Sequence, residues 1–199
     1  MLNDVIESHI APLLKRYGFK KKKMTWNKTI DGFIQVIDFQ VSSYSDEKEE
    51  TFTINLGILC PEIWNACWQK EPPRFVKEDD CFPRLRISQL LGSFSGDTRD
   101  QWWECSPNIN EDILGEELSA LIENKCFPFI DAMLSKKNIN DFYSSSSISL
   151  LPIDKVYLAI VKSLVGDKES SSRLLSEVGE ISKAWSSRVE IVQNQLSWK

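Results

Sequence analysis

The chain has 199 residues, with 24 Lys and Arg against 29 Asp and Glu, a net charge of −5, and 42 % hydrophobic residues. These values exclude a collagen-like, a disulfide-scaffold and a fully disordered protein, and they suit a globular chain able to bury a sizeable core. They select no partner class.

The start, Met1-Leu2-Asn3-Asp4-Val5, carries acid where a signal peptide needs basic residues, and no long apolar run follows. The most apolar stretch, Ile148 to Val165, is interrupted by Pro152, Asp154, Lys155 and Lys162, so it does not read as a membrane span of ~20 apolar residues. Cys60, Cys67, Cys81, Cys105 and Cys126 are odd in number and form no CxxC pair. Buried thiols in a reducing compartment follow, with neither a disulfide framework nor a metal site. The expectation is a cytoplasmic protein without a cofactor.

Val5, Ile6, Ile10, Leu13, Leu14 and Tyr17 repeat at helical spacing. Asn3 or Asp4 can cap this first helix and Gly18 can end it, while Pro12 should bend it or remove one backbone hydrogen bond. The period then shortens. Phe19 to Asn27 and Phe33 to Val41 read as strands around a turn at Asp31-Gly32. A solvated acidic loop, Ser45 to Glu50, precedes a strand from Phe52 to Leu59, whose Phe52, Ile54, Leu56 and Ile58 point inward and whose Thr53, Asn55 and Gly57 point outward.

Pro61 starts a short helix carrying Trp64 and Trp68, and Pro72-Pro73 stop it. Arg84 to Ile87 reads as a strand, after which Leu90, Leu91 and Phe94 return to the core. A turn at Gly96-Asp97 leads to a last strand, Gln101 to Cys105. From Asn110, a natural N-cap, a helix runs with Leu118, Leu121, Ile122, Ile130, Met133 and Leu134 buried, and Pro128 splits or kinks it. The serines 144 to 147 read as a linker. Two helices follow, roughly Ile153 to Val165 and Ser171 to Trp198. The second sets Leu174, Val178, Ile181, Trp185, Val192 and Leu196 along one seam.

The expected fold class is α+β: a leading helix packed on a roughly five-stranded antiparallel or mixed sheet, followed by C-terminal helices. Residues 1–143 form the α+β domain, and residues 148–199 a helical pair packed on it.

Gly18-Phe19-Lys20-Lys21-Lys22, Gln35 to Gln40, Phe52 to Gly57 and the pair Trp102-Trp103, behind a leading helix, resemble the bacterial domain of unknown function 4304 family over residues 1–135 approximately. Asp38 stands where the resemblance leads us to expect an amide. The resemblance implies no established activity. It implies a binding role of the kind found among small accessory proteins, toxin-immunity proteins included.

The residues themselves point to one sheet face. Alternation puts Asp38 and Gln40, Thr53 and Asn55, and Arg84 and Arg86 on outward faces, with Trp102 or Trp103 as a wall. Amides and guanidinium groups supply directional contacts to a partner. The leading reading is a non-enzymatic binding or accessory protein with an unknown protein partner. Its rival is an enzyme or sensor using Arg84, Arg86 and Asp38 on a small anionic ligand. The bland alternative pairs the arginines internally with Asp38 on a merely wet face. The basic run from Lys15 to Lys28, which includes Lys20, Lys21, Lys22 and Lys23, supports a third reading, nucleic-acid binding. Edge lysines that prevent aggregation are the favoured explanation of the run, and an acidic chain disfavours nucleic acid. His9 lies on the apolar stripe of the first helix, which places it in packing rather than catalysis. The phosphate-cradling GxxxxGK[ST] and GxGxxG motifs are absent.

Overall fold

The computed structural model describes residues 1–46, 49–92, 100–146 and 148–197, with the backbone alone at 197. The expected core role of Phe94, the turn at Gly96-Asp97, Ser147 and the helix end at Trp198 lie outside them.

Leu2–Val5, Ile6–Ile10 and Ala11–Arg16 run on as one helix, α1. Pro12 does not break it, although its ring nitrogen gives the helix no backbone donor there. The turn before it is a π turn, in which Ala11 N–H donates to the Ile6 carbonyl five residues back. The extra residue carries the carbonyl that a proline ring would strike out of its way. The helix beginning at Asn110 repeats the device. Glu111–Leu121, Ile122–Cys126 and Phe127–Ala132 form α4, with Phe127 N–H on the Ile122 carbonyl just before Pro128. Asn110 caps α4, its side chain accepting from Asp112 N and Ile113 N. Gly18, at φ 89°, ends α1: its N–H donates to Lys15 and that of Phe19 to Leu14, a Schellman closure.

Among the described residues, six strands form one antiparallel sheet: β1 (Lys20–Lys22), β2 (Thr25–Ile30), β3 (Phe33–Val41), β4 (Glu50–Leu59), β5 (Arg84–Arg86) and β6 (Trp103–Cys105). The order is β1-β2-β3-β4-β5, and β6 pairs with the other half of the same β4 edge. The single strand expected over Phe19 to Asn27 is in fact a hairpin. Its turn residue Lys23 takes φ 57° without the glycine that would announce it. Asp31 and Gly32, both at positive φ, close the next hairpin.

Between the strands lie α2 (Pro61–Trp68), a 3-10 turn at Glu78–Asp80 and α3 (Ile87–Gly92); α5 (Lys136–Ser145) follows α4. The C-terminal part holds three helices, α6 (Pro152–Leu164), α7 (Lys168–Gly179) and α8 (Lys183–Ser197), rather than a pair. The expected long helix breaks at residues 180–182. There the Ser182 carbonyl accepts from Ser186 and its hydroxyl from Trp185, starting a new helix, and Ile181 is 54 % exposed instead of lying on a seam. Among the described residues no helix is long and apolar enough to cross a membrane.

One sheet face carries the main core. Trp26, Ile37, Phe39, Phe52, Ile54, Leu56 and Ile58 lie buried in one cluster with Leu2, Ile6, Ile10 and Leu14 of α1 and Leu118 and Ile122 of α4. Each large apolar side chain so buried contributes about 1.5–3 kcal/mol. The same cluster extends to Val156 and Ile160 of α6 and Val192 of α8.

The opposite face is divided. Val36 and Leu59 are covered by Trp64, Val76 and Cys81 in a second apolar cluster. Asn27 holds that covering segment by bonding both the N–H and the carbonyl of Val76. Gly57, expected outward, lies under Cys81: a Cβ on Gly57 would stand 2.6 Å from Cys81 Cβ. The other half of this face is polar.

Candidate functional site

Register places Asp38 opposite Asn55 and Gln40 opposite Thr53, and Asn55 and Gly57 opposite Arg86 and Arg84. Directly opposed residues of an antiparallel sheet share a face. The six polar candidates therefore lie on one face, in adjacent strands.

Hydrogen bonds link most of them. Thr25 Oγ1 donates to Asp38 Oδ1 at 2.6 Å. Asn55 Nδ2 donates to Gln40 Oε1 at 2.9 Å, and Arg86 Nη2 reaches the same oxygen at 3.4 Å. Arg86 Nη1 pairs with Asp100, which also accepts from Ser88 Oγ at 3.1 Å. The guanidinium carbon lies 5.4 Å from the centre of the Trp102 ring. Thr53 Oγ1 donates to the Gln101 carbonyl at 2.8 Å.

Accessibility separates the candidates. Gln40 is exposed, and Asp38, Arg86 and Trp102 are half-buried, whereas Thr53 and Asn55 are buried beneath them. Trp103 is no wall of this surface. It faces the core, stacked on Phe52 at 5.7 Å, with its indole N–H donating to Glu117 Oε1. Arg84 is drawn off toward the C-terminal helices. It lies 3.5 Å from Asp154 on α6 and 3.7 Å from Asp79. The arginines do pair internally, although with Asp79, Asp100 and Asp154 rather than with Asp38.

Among the described residues, Asp38 thus has neutral hydrogen-bond partners only. Burial holds its carboxyl above the usual range, against the hydrogen bonds from Thr25 and Asn55, and the Asp79 charge adds to the rise. Burial likewise pushes Glu78 up to about 7, opposed by Arg84 and reinforced by Asp79 and Asp38. Glu78 carried no expected role, and neither Ser88 nor Asp100 was singled out. Their positions follow from a long-range fold-back that no local spacing announces. Among the described residues no group of three or more His, Cys, Asp and Glu is placed to hold a metal ion. All five cysteines are buried and free, and burial lifts the thiols of Cys67 and Cys126 to about 12.

The basic run does not form one plane. Lys20 and Lys22 lie on the polar face, opposite Asn27 and Thr25. Lys21 turns to the other face, paired with Glu7 and packed over the Trp26 ring. Lys23 occupies the turn, and Arg16 pairs with Glu123. His9 lies across the sheet, its Nε2 3.2 Å from Asp112 Oδ1.

The model of a family described as a domain of unknown function, DUF4304, matches residues 10–132, a stretch that contains the whole polar network but not Asp154. No curated protein and no solved structure matches the chain. With more than half of its length matched, the chain belongs to the DUF4304 family.

Proposed function

We propose that this is a non-enzymatic bacterial cytoplasmic protein that binds a protein partner through the polar half of its sheet, in an accessory role. The observation that carries the reading is the surface formed by Asp38, Gln40 and Arg86 on the strands, with the Trp102 ring packed on Arg86 just before β6. Such a surface is pre-organised, so less ordering free energy is lost on binding. A cavity of about 160 Å³ lies elsewhere, between α2 and α8, lined by Glu62, Asn65, Ala66, Gln195 and Leu196. Neither this cavity nor the smaller one beside Leu59 and Tyr157 is lined by Arg84 or Arg86, which favours a partner protein over a small substrate. The rival anionic ligand would have to displace Asp100 from Arg86, or Asp79 and Asp154 from Arg84. The dispersal of the lysines weighs against nucleic acid, which needs a continuous basic track.

The test is capture from the native cytosol, analysed for proteins and small molecules, with wild type beside the double variant Gln40→Ala, Trp102→Ala. Loss of one or more protein partners from a folded variant is the expected result. Retention of every partner, or capture of a small anion alone, would overturn the reading.

A further inference from the structure

The polar surface has an internal order of charge. Register aligns Lys22 with Thr25, Thr25 with Asp38, Asp38 with Asn55 and Asn55 with Arg86, one residue from each of five adjacent strands. Strands lie ~4.8 Å apart, so Lys22 and Arg86 flank Asp38 at about 10 Å on either side. The flanks differ. Arg86 is engaged by Asp100, Gln40 and the Trp102 ring. Lys22 is exposed, and its described contact is the Phe75 ring at 5.6 Å.

Asp38 lies between them with a half-buried carboxylate and no ion pair among the described residues. An ionised carboxylate has about four acceptor positions. Thr25 and Asn55 satisfy only part of that capacity. Partial burial, neutral hydrogen-bond donors and the nearby Asp79 charge leave this carboxylate poorly compensated, which a charged donor from outside would correct.

We infer, resting on the binding role proposed for this face, that Asp38 and Lys22 are a two-point charge register for a protein partner. An Arg or Lys side chain of the partner seats on the Asp38 carboxylate, and an acidic side chain about 10 Å away along the partner meets Lys22. The alternation selects a polypeptide surface. A polyamine would bring positive charge against Lys22 and Arg86 as well as Asp38. A nucleic-acid backbone would bring phosphates against Asp38, Asp79 and Asp100. Gln40, exposed beside Asp38, and the half-buried Trp102 add an amide and an aromatic wall, both suited to a peptide chain.

A phage-displayed library of random dodecapeptides panned on the full chain tests this. The selected peptides are expected to carry both a basic and an acidic residue. A synthetic copy of the tightest should lose at least tenfold in affinity to Asp38→Asn and to Lys22→Glu, with both variants melting as cooperatively as wild type. Reversing the peptide's acidic residue to lysine should restore binding to Lys22→Glu, which keeps the test decisive even where Asp38→Asn folds poorly. Peptides without a basic residue, or a library that yields no binder, would overturn the inference. A peptide insensitive to Asp38→Asn and Lys22→Glu but lost with Gln40→Ala or Trp102→Ala would overturn it while sparing the binding face. Insensitivity to all four substitutions would remove both.

Discussion

Arg84 and Arg86 alternate on one strand and point to the same face, yet they serve different parts of the molecule. Arg84 lies 3.5 Å from Asp154 on the first C-terminal helix, whereas Arg86 packs on Trp102 and pairs with Asp100. The Asp154 side chain is 10 % exposed, and among the described residues its Oδ1 has no hydrogen-bond partner beyond this ion pair.

Substitution should separate the two arginines. Arg84→Ala leaves Asp154 buried without its cation, and about 1–3 kcal/mol of stability should be lost. Arg86→Ala breaks a more exposed pair worth about 0–1 kcal/mol. Urea denaturation checks this. Equal midpoint shifts would show that the two arginines share one role.

Gly115 on α4 exists for His9. A Cβ at 115 would stand 2.3 Å from His9 Cγ and Cδ2, so the two helices meet only because that atom is missing. Alanine would otherwise be the better helix residue by roughly 1 kcal/mol. Gly115→Ala should instead destabilise by about 1–3 kcal/mol through overpacking. Adding His9→Ala should recover most of the loss, a coupling that a double-mutant cycle in urea reads directly. Additive losses would contradict the packing account.

Glu78 makes the stability depend on pH. Its carboxyl ordinarily titrates at 4.5 and is lifted to about 7 in the folded chain, mainly by burial. The folded state therefore holds this proton more tightly than the unfolded one. The stability it contributes is fully present below 4.5 and lost as pH rises through about 7. Glu78→Gln removes the ionisation, so its melting temperature should exceed that of wild type at alkaline pH, and the gap should close below 4.5. A gap that stays constant across that window would place Glu78 in free solvent.

Period-2 alternation was enough to put Asp38, Gln40, Thr53, Asn55, Arg84 and Arg86 on one face, because adjacent strand residues necessarily alternate. It also separated Trp102 from Trp103. What covers a face is a tertiary matter. Nothing near Arg84 points to Asp154, and nothing near Gly57 points to Cys81, since both contacts form only when distant segments fold back. The hairpin at Lys23 carries neither glycine nor proline to announce it, whereas the helix break before Lys183 follows directly on Gly179, a local signal outweighed by the apolar spacing that continues past it. Pro12 and Pro128 did mark irregular turns, and a π turn absorbs each within an unbroken helix.

The central claim is that a protein partner is recognised by the polar half of the sheet. Hydrogen exchange of the chain with and without its captured partner tests it most directly, through backbone amides across the whole fold. Slowed exchange on binding should concentrate at residues 38–40 of β3, 84–86 of β5 and the segment 100–103, with α7 and α8 unchanged. Protection confined to the lysine turn or to the C-terminal helices, with the polar face unchanged, would contradict the account.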